Sequence, residues 1–129
     1  MWRNMEIIMT QTQIARLKTL IDTKRRELVS QIHAQTNQIA VNESEADPID
    51  QIQSMNIREE TATQLGKRSR VLAEIDRSLH AINDGTYGLC IDCEEPISLK
   101  RLETIPWAPR CLSCQQGMER CETEQREAA

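Results

Sequence analysis

Two pairs of cysteines carry the chemistry that stands out in this sequence. Cys90-Ile-Asp-Cys93 is followed, after seventeen residues, by Cys111-Leu-Ser-Cys114. Two C-x-x-C pairs at this separation have the spacing of a tetrahedral zinc site, with each pair contributing one rubredoxin-like turn. Zinc prefers soft ligands, and four thiolates close its coordination shell, so a single structural Zn2+ is the expected occupant. A closed shell leaves no position for an activated water, and hydrolytic catalysis is not implied. The same spacing is open to a redox dithiol pair or to unpaired core cysteines. Glu94 stands after the second cysteine, where glycine is frequent, and is expected to strain that turn without removing a ligand. Cys121 reads as a free thiol in a C-terminal helix, not needed as a fifth ligand. The segment from Pro96 to Trp107 is too weakly hydrophobic to bury a core unaided, so the metal would supply much of the folding energy there. Trp107 is expected to cover the zinc site or to pack on the adjoining helices.

A second group of residues is electrostatic. Asp47-Pro48-Ile49-Asp50 has the form of a helix start, with Asp47 as N-cap, Pro48 in the first helical position and Asp50 near the positive end of the dipole. Capping explains both aspartates locally; a position at the apex of a helical hairpin would also expose them to a partner. Lys24-Arg25-Arg26 and Lys67-Arg68-Ser69-Arg70 lie about equally far from that turn, so an antiparallel hairpin brings them level as a basic collar. A solvated helical face is the bland reading of the collar. A docking contact led by Lys67 and Arg70 is the functional one, with Arg68 mostly structural. His33 and His80 are isolated, and no His–Cys or Ser–His arrangement suggests a nucleophile, so the chain is read as non-enzymatic.

The elements that must position these residues are long helices. Of 129 residues none is Phe, and Trp2, Trp107 and Tyr87 are the only aromatics, which argues against a large mixed core. Ile14, Leu17, Ile21, Leu28, Ile32 and Ile39 recur at helical spacing, with Arg25 and Thr36 filling two seam positions. Leu65, Leu72 and Leu79 alternate with Arg68, Ile75 and Ile82 in steps of three and four, a heptad pattern that requires a partner helix. The second helix is expected to stop at Asn83-Asp84-Gly85, with Gly85 in a left-handed cap. The expected fold is mainly α: a long antiparallel helical hairpin (coiled coil) over 1–85, its tip at about 42–50. A small four-cysteine zinc-finger module with a C-terminal helix comes after it, over 86–129. Each arm of about 30 residues would span on the order of 45 Å. The Gln-rich half near the tip is expected to be looser than the base.

Composition narrows the function. The net charge is −4, the pI about 5.2 and the mean hydropathy −0.56, which disfavours direct sequence-specific DNA binding. No apolar run approaches the roughly 18 to 20 residues of a membrane span, and the N-terminal residues lack a signal-peptide pattern, so a cytoplasmic location is expected. The hairpin satisfies its own seam, which favours a monomer.

The assembled residues resemble the DksA/TraR family of RNA polymerase-binding transcription factors. The match is strongest over Asp84-Gly85-Thr86-Tyr87-Gly88-Leu89-Cys90-x-x-Cys93, Ile97, Arg101-Leu102-Glu103, Pro106 and Cys111-x-x-Cys114-Gln115, and it extends over about residues 12 to 120. Asp47 and Asp50 match the family's acidic tip. The resemblance implies a regulator whose hairpin enters the secondary channel of bacterial RNA polymerase. Its tip carboxylates would reach toward the catalytic centre and modulate initiation, as in stringent-response-like control. Two departures matter. Ile52 stands where the tip motif usually has Ala, and Glu74, Ile105 and Gln115 occupy the positions that carry basic residues in ppGpp-responsive members. Weak or absent ppGpp coupling is therefore expected. Two other classes stay open: a zinc-finger DNA-binding protein using the collar, and a thiol/zinc redox switch.

Overall fold

The computed structural model describes the backbone of residues 9–42 and 48–128, and the side chains of these except at 39–42, 48–52 and 54. Four helices account for most of it: α1 (Gln11–Asn42), α2 (Pro48–Asp84), α3 (Leu99–Thr104) and α4 (Leu112–Ala128). Among the described residues there is no strand, only an isolated antiparallel bridge between Leu89 and Pro96. No described helix is long and apolar enough to cross a membrane. The fold is mainly α, an antiparallel hairpin of α1 and α2 with a four-cysteine module after it.

α1 begins in a reciprocal cap. The Thr10 N–H donates to Gln13 Oε1 at 3.0 Å, and the Gln13 N–H donates back to Thr10 Oγ1 at 3.2 Å, so two otherwise orphaned donors are satisfied. α2 begins at Pro48, whose missing N–H costs nothing in a first turn; Asp47, the expected cap, lies outside the described residues. Its other end is a Schellman motif. Gly85 sits at φ 79°, and the Thr86 N–H reaches back to the Ala81 carbonyl at 2.9 Å.

The chain divides into two compact units, Met1–Ile21 with Glu74–Ala129, and Asp22–Ala73. In the first, Leu17 and Ile21 of α1 and Ile75 of α2 are fully buried, and Ser78 is buried with its hydroxyl returned to the Glu74 carbonyl at 3.0 Å. Tyr87, Ile97, Leu102 and Ala108 form the module's own small core. In the second unit Leu28 is the buried apolar residue among those described, and much of the remaining seam is polar. Gln35 Nε2 donates to Gln64 Oε1 at 3.0 Å, while Gln35 Oε1 and Arg58 Nε are buried with no hydrogen-bond partner. An unsatisfied buried polar atom costs about 1–3 kcal/mol, so this unit is intrinsically less stable than a leucine seam would be.

One seam assignment is corrected. Arg25 and Thr36 are exposed, and the partly buried positions are Lys24, Gln31 and Gln35. The alternation of four and three that starts at Leu17 and Ile21 leads to 24, 28, 31 and 35, which turns 25 and 36 outward. On α2 the expected positions 65, 68, 72, 75, 79 and 82 are all partly or fully buried, and the stripe continues back through Thr61 to Arg58.

Candidate metal centre

The first cysteine pair is built outward from the end of α2. Beyond the Schellman cap, Tyr87 is buried, and its hydroxyl donates to the Pro106 carbonyl at 2.7 Å. Burial pushes the Tyr87 phenol up to about 12, so it stays a donor. Gly88 takes φ 93°, and its carbonyl accepts the Ile97 N–H at 2.7 Å, closing the loop that carries the pair. Within that loop the Cys90 carbonyl accepts the Glu94 N–H at 3.0 Å, and the Cys90 N–H donates to the Glu95 carbonyl at 2.9 Å. Closing the turn requires a left-handed residue after Cys93, and Glu94 supplies it at φ 61°. The strain expected there is present, since a Cβ disfavours this region by roughly 1–2 kcal/mol.

The second pair is built differently, which corrects the expectation of two rubredoxin-like turns. Cys111 precedes α4, its carbonyl accepts the Gln115 N–H at 3.0 Å, and Cys114 lies in the first helical turn. No left-handed residue stands after Cys114, so Gln115 and Gln116 continue the helix.

The chain between the pairs is held by polar contacts. Ser98 caps α3 by accepting the Arg101 N–H at 3.2 Å, and Leu102 anchors the helix in the module's core. Arg101 Nε donates to the Arg110 carbonyl at 3.0 Å, and Arg110 Nε donates to Asp92 Oδ2 at 2.8 Å. The Ile91 N–H donates to the Pro109 carbonyl at 3.0 Å, a further tie between the loops. An exposed ion pair, Arg16 with Glu103 at 3.2 Å, joins α1 to α3.

These constraints bring the Sγ atoms of Cys90, Cys93, Cys111 and Cys114 within 4.8 Å of one another. Cys93 and Cys111 are 3.8 Å apart, far beyond the roughly 2.05 Å of a disulfide. A regular tetrahedron of sulfurs around zinc, with Zn–S of about 2.3 Å, has an edge of about 3.8 Å. The donor set fits zinc in number, softness and spacing. Its electrostatics also call for a cation. Burial works against the Cys90 thiolate, but the N–H groups of Cys93, Cys111 and Asp92 outweigh it and hold the thiol near 6. Cys114 is pushed up to about 12 by its hydrogen bonds with Cys111 and Cys90, and Cys93 is also raised, despite the favourable Glu95 N–H, by burial and its Cys90 and Cys111 neighbours. Four thiolates coexist here only around a positive ion.

The other residues singled out in the sequence lie elsewhere. Asp47 falls outside the described residues; Asp50 is the third residue of α2, its side chain likewise outside them. Lys67 and Arg70 are exposed on α2, one helical turn apart and so on one face. His33 and His80 are exposed. Cys121 is an exposed free thiol on α4. Glu74, Ile105 and Gln115, widely separated in sequence, line one cavity of about 370 Å³ with Trp107, Leu112 and Glu119. Trp107 lines the same cavity as Glu74 of α2. Sequence reasoning missed the Asp92–Arg110 contact and the Tyr87–Pro106 bond, whose one-dimensional signal is an ordinary charge or aromatic.

Comparison with known proteins agrees with this centre. Residues 85–120 match the prokaryotic dksA/traR C4-type zinc finger family. Over 104 residues the chain is 34% identical to an uncharacterized protein of Aquifex aeolicus, covering 78% of this chain and 72% of that one. It is 32% identical over 102 residues to the RNA polymerase-binding transcription factor DksA of Caulobacter vibrioides, covering 79% and 68% respectively. The solved structure of transcription factor DksA2 from Pseudomonas aeruginosa superposes with a TM-score of 0.76 at 27% identity, over 90% of each chain. All four cysteines fall inside the matched finger, and they hold one structural zinc ion.

Proposed function

The chain belongs to the DksA/TraR family, and from that premise we propose that it is an RNA polymerase-binding transcription factor, non-enzymatic, acting in the cytoplasm through its hairpin. The observation that carries this reading is the extent of the similarity to Caulobacter DksA. Of 102 aligned residues at 32% identity, the finger match of 85–120 can supply only about a third, so the likeness runs well into the helices. The hairpin enters the secondary channel of bacterial RNA polymerase and brings the tip toward the catalytic centre. Asp50 carries more of the tip's effect than Asp47, because a capping aspartate is tied to backbone N–H groups. Lys67 and Arg70, exposed on one face of α2, dock on acidic residues at the channel rim, a contact that salt weakens. Zinc holds the finger and takes no part in chemistry.

Two features refine the reading. α4 carries Arg120 and Arg126 against Glu119, Glu122, Glu124 and Glu127, so it is no basic recognition helix for DNA. The cavity is lined by two glutamates, Glu74 and Glu119, against one cation, Arg101, and the positions of Glu74, Ile105 and Gln115 add no positive charge, so ppGpp couples weakly or not at all through it. The protein acts as a monomer.

The test is binding of the zinc-loaded protein to bacterial core RNA polymerase, in competition with a known secondary-channel factor. Mutually exclusive binding is expected, with Asp50→Asn still binding but losing its effect on initiation, and Lys67→Glu with Arg70→Glu binding more weakly. Absence of binding at one zinc per chain would overturn the reading.

A further inference from the structure

One level of the hairpin gathers features that the polymerase reading does not use. Gln35 of α1 meets Gln64 of α2, its Nε2 donating to the Gln64 Oε1 at 3.0 Å, while Gln35 Oε1 is buried with no hydrogen-bond partner. Beside them, Thr36 and Thr63 turn their hydroxyls back onto their own helices, to the Ile32 carbonyl at 2.8 Å and the Glu59 carbonyl at 2.9 Å. Such back-bonds slightly weaken and bend a helix. Thr19 makes the same bond on α1, but there the fully buried Leu17 and Ile21 flank it. Two residues past Gln64 stands Gly66, whose φ is not positive and where an added Cβ meets nothing within 4 Å. Neither backbone conformation nor close packing requires a glycine there, and what it adds to α2 is freedom. The seam differs on the two sides of this level. Toward the base Leu28 is buried, and Ile32, Leu65 and Leu72 are partly buried. Toward the tip the partly buried residues on α2, among those described, are Thr61 and Arg58, and Arg58 Nε is buried without a partner.

We propose that the Gln35–Gln64 level is a flexure point built into the hairpin, beyond which the two helices open together as one unit while the Leu28–Leu72 side stays closed. Opening there lets water reach the unsatisfied Gln35 Oε1 and Arg58 Nε, which lowers its cost, whereas opening on the base side exposes leucine and isoleucine. Gly66 gives α2 a place to yield, so the opening stops there instead of running on toward Leu72. A partner that grips the closed hairpin meets only the closed fraction of molecules, so the ease of opening sets its apparent affinity. The device belongs to the free chain and does not depend on which partner that is.

The experiment is native-state amide hydrogen exchange of the zinc-loaded full chain, read residue by residue. Amides at 37, 38 and 55–63 are expected to share one protection level, within about threefold, because they open together. That level should lie at least roughly tenfold below the protection at 26–32 and 68–72, with a step between the two groups. Gln35→Leu with Gly66→Ala should raise protection on the tip side roughly tenfold and leave the base side within about twofold. Ser69→Ala, exposed on α2 on the base side, should move the tip side by less than about twofold. The wild-type profile tests the step without any variant, and Gly66→Ala alone should give part of the tip-side gain. Protection that falls smoothly toward the tip with no step, or a step that these substitutions leave unchanged, overturns the proposal.

Discussion

Arg110 Nε lies 2.8 Å from Asp92 Oδ2, and this contact joins the residue inside the first cysteine pair to the one directly before the second. Arg110 is held at its backbone as well, where its carbonyl accepts from Arg101. Its side chain is 20% exposed and that of Asp92 47%, so the pair is partly screened and worth about 0.5–1 kcal/mol. Arg110→Ala is therefore expected to speed zinc transfer to a chromophoric chelator a few-fold while the fold persists. An unchanged transfer rate would show that the pairs are aligned without this contact.

Zinc removal should separate the two sources of stability. The module's own core is Tyr87, Ile97, Leu102 and Ala108, too small to stand alone, whereas α1 and α2 bury Leu17, Ile21 and Ile75 against each other. Chelation is expected to abolish the Trp107 and Tyr87 near-UV signals and leave most of the far-UV helical signal. Because Cys93 and Cys114 are raised in the absence of metal, zinc must displace protons, and its apparent affinity should fall as the pH drops. Calorimetry in buffers of different ionisation enthalpy measures that proton release.

The parts of this molecule legible in the sequence are those governed by local rules. The stop at Gly85, the start at Pro48 and the strained turn at Glu94 arise from backbone sterics at single residues. The four ligands are given away by their spacing. The α1 seam is harder to read, because Lys24, Gln31 and Gln35 occupy core-facing positions and a search for apolar residues steps past them to Arg25 and Thr36. The helical second knuckle is not legible because Cys-x-x-Cys is compatible with both a reversed turn and a first helical turn. The choice between them is made beyond Cys114, where two glutamines continue the helix. The joining of Glu74, Ile105 and Gln115 around one cavity is long-range, and only the fold reveals it.

Glu94 holds φ 61° with a Cβ, a conformation glycine adopts freely. The side chain is exposed, so its loss removes little packing. Glu94→Gly should raise the stability of the zinc-bound module by about 0.5–1 kcal/mol, the relief being partly offset by glycine's greater unfolded-state entropy. Chelator-dependent melting checks this, and a lower melting point would mean that the Glu94 side chain contributes contacts outweighing the strain.

Gly66 presents the opposite case. It lies inside α2, where glycine costs roughly 1 kcal/mol relative to alanine, and a Cβ built there meets nothing within 4 Å. Gly66→Ala is expected to stabilise the Asp22–Ala73 unit by about that amount, seen as slower amide exchange at neighbouring α2 positions. If the same variant also weakens polymerase binding, flexibility at this point of the helix is part of the function.

Tyr87 couples the end of α2 to the loop before the second cysteine pair, and its contribution has a defined pH window. The phenol is raised from 10.0 to about 12 by burial, so folding favours its protonated form. That contribution is fully present below pH 10, and it is lost between about 10 and 12, where the unfolded chain ionises and the folded one does not. Tyr87→Phe removes this alkaline dependence but leaves the buried Pro106 without its 2.7 Å donor, costing about 1–3 kcal/mol at neutral pH. Urea unfolding of zinc-loaded wild type and variant at pH 8 and 11 tests both halves. The stability difference should be large at the lower pH and shrink at the higher, and a difference independent of pH would mean that packing of the ring, not its hydroxyl, is what the position supplies.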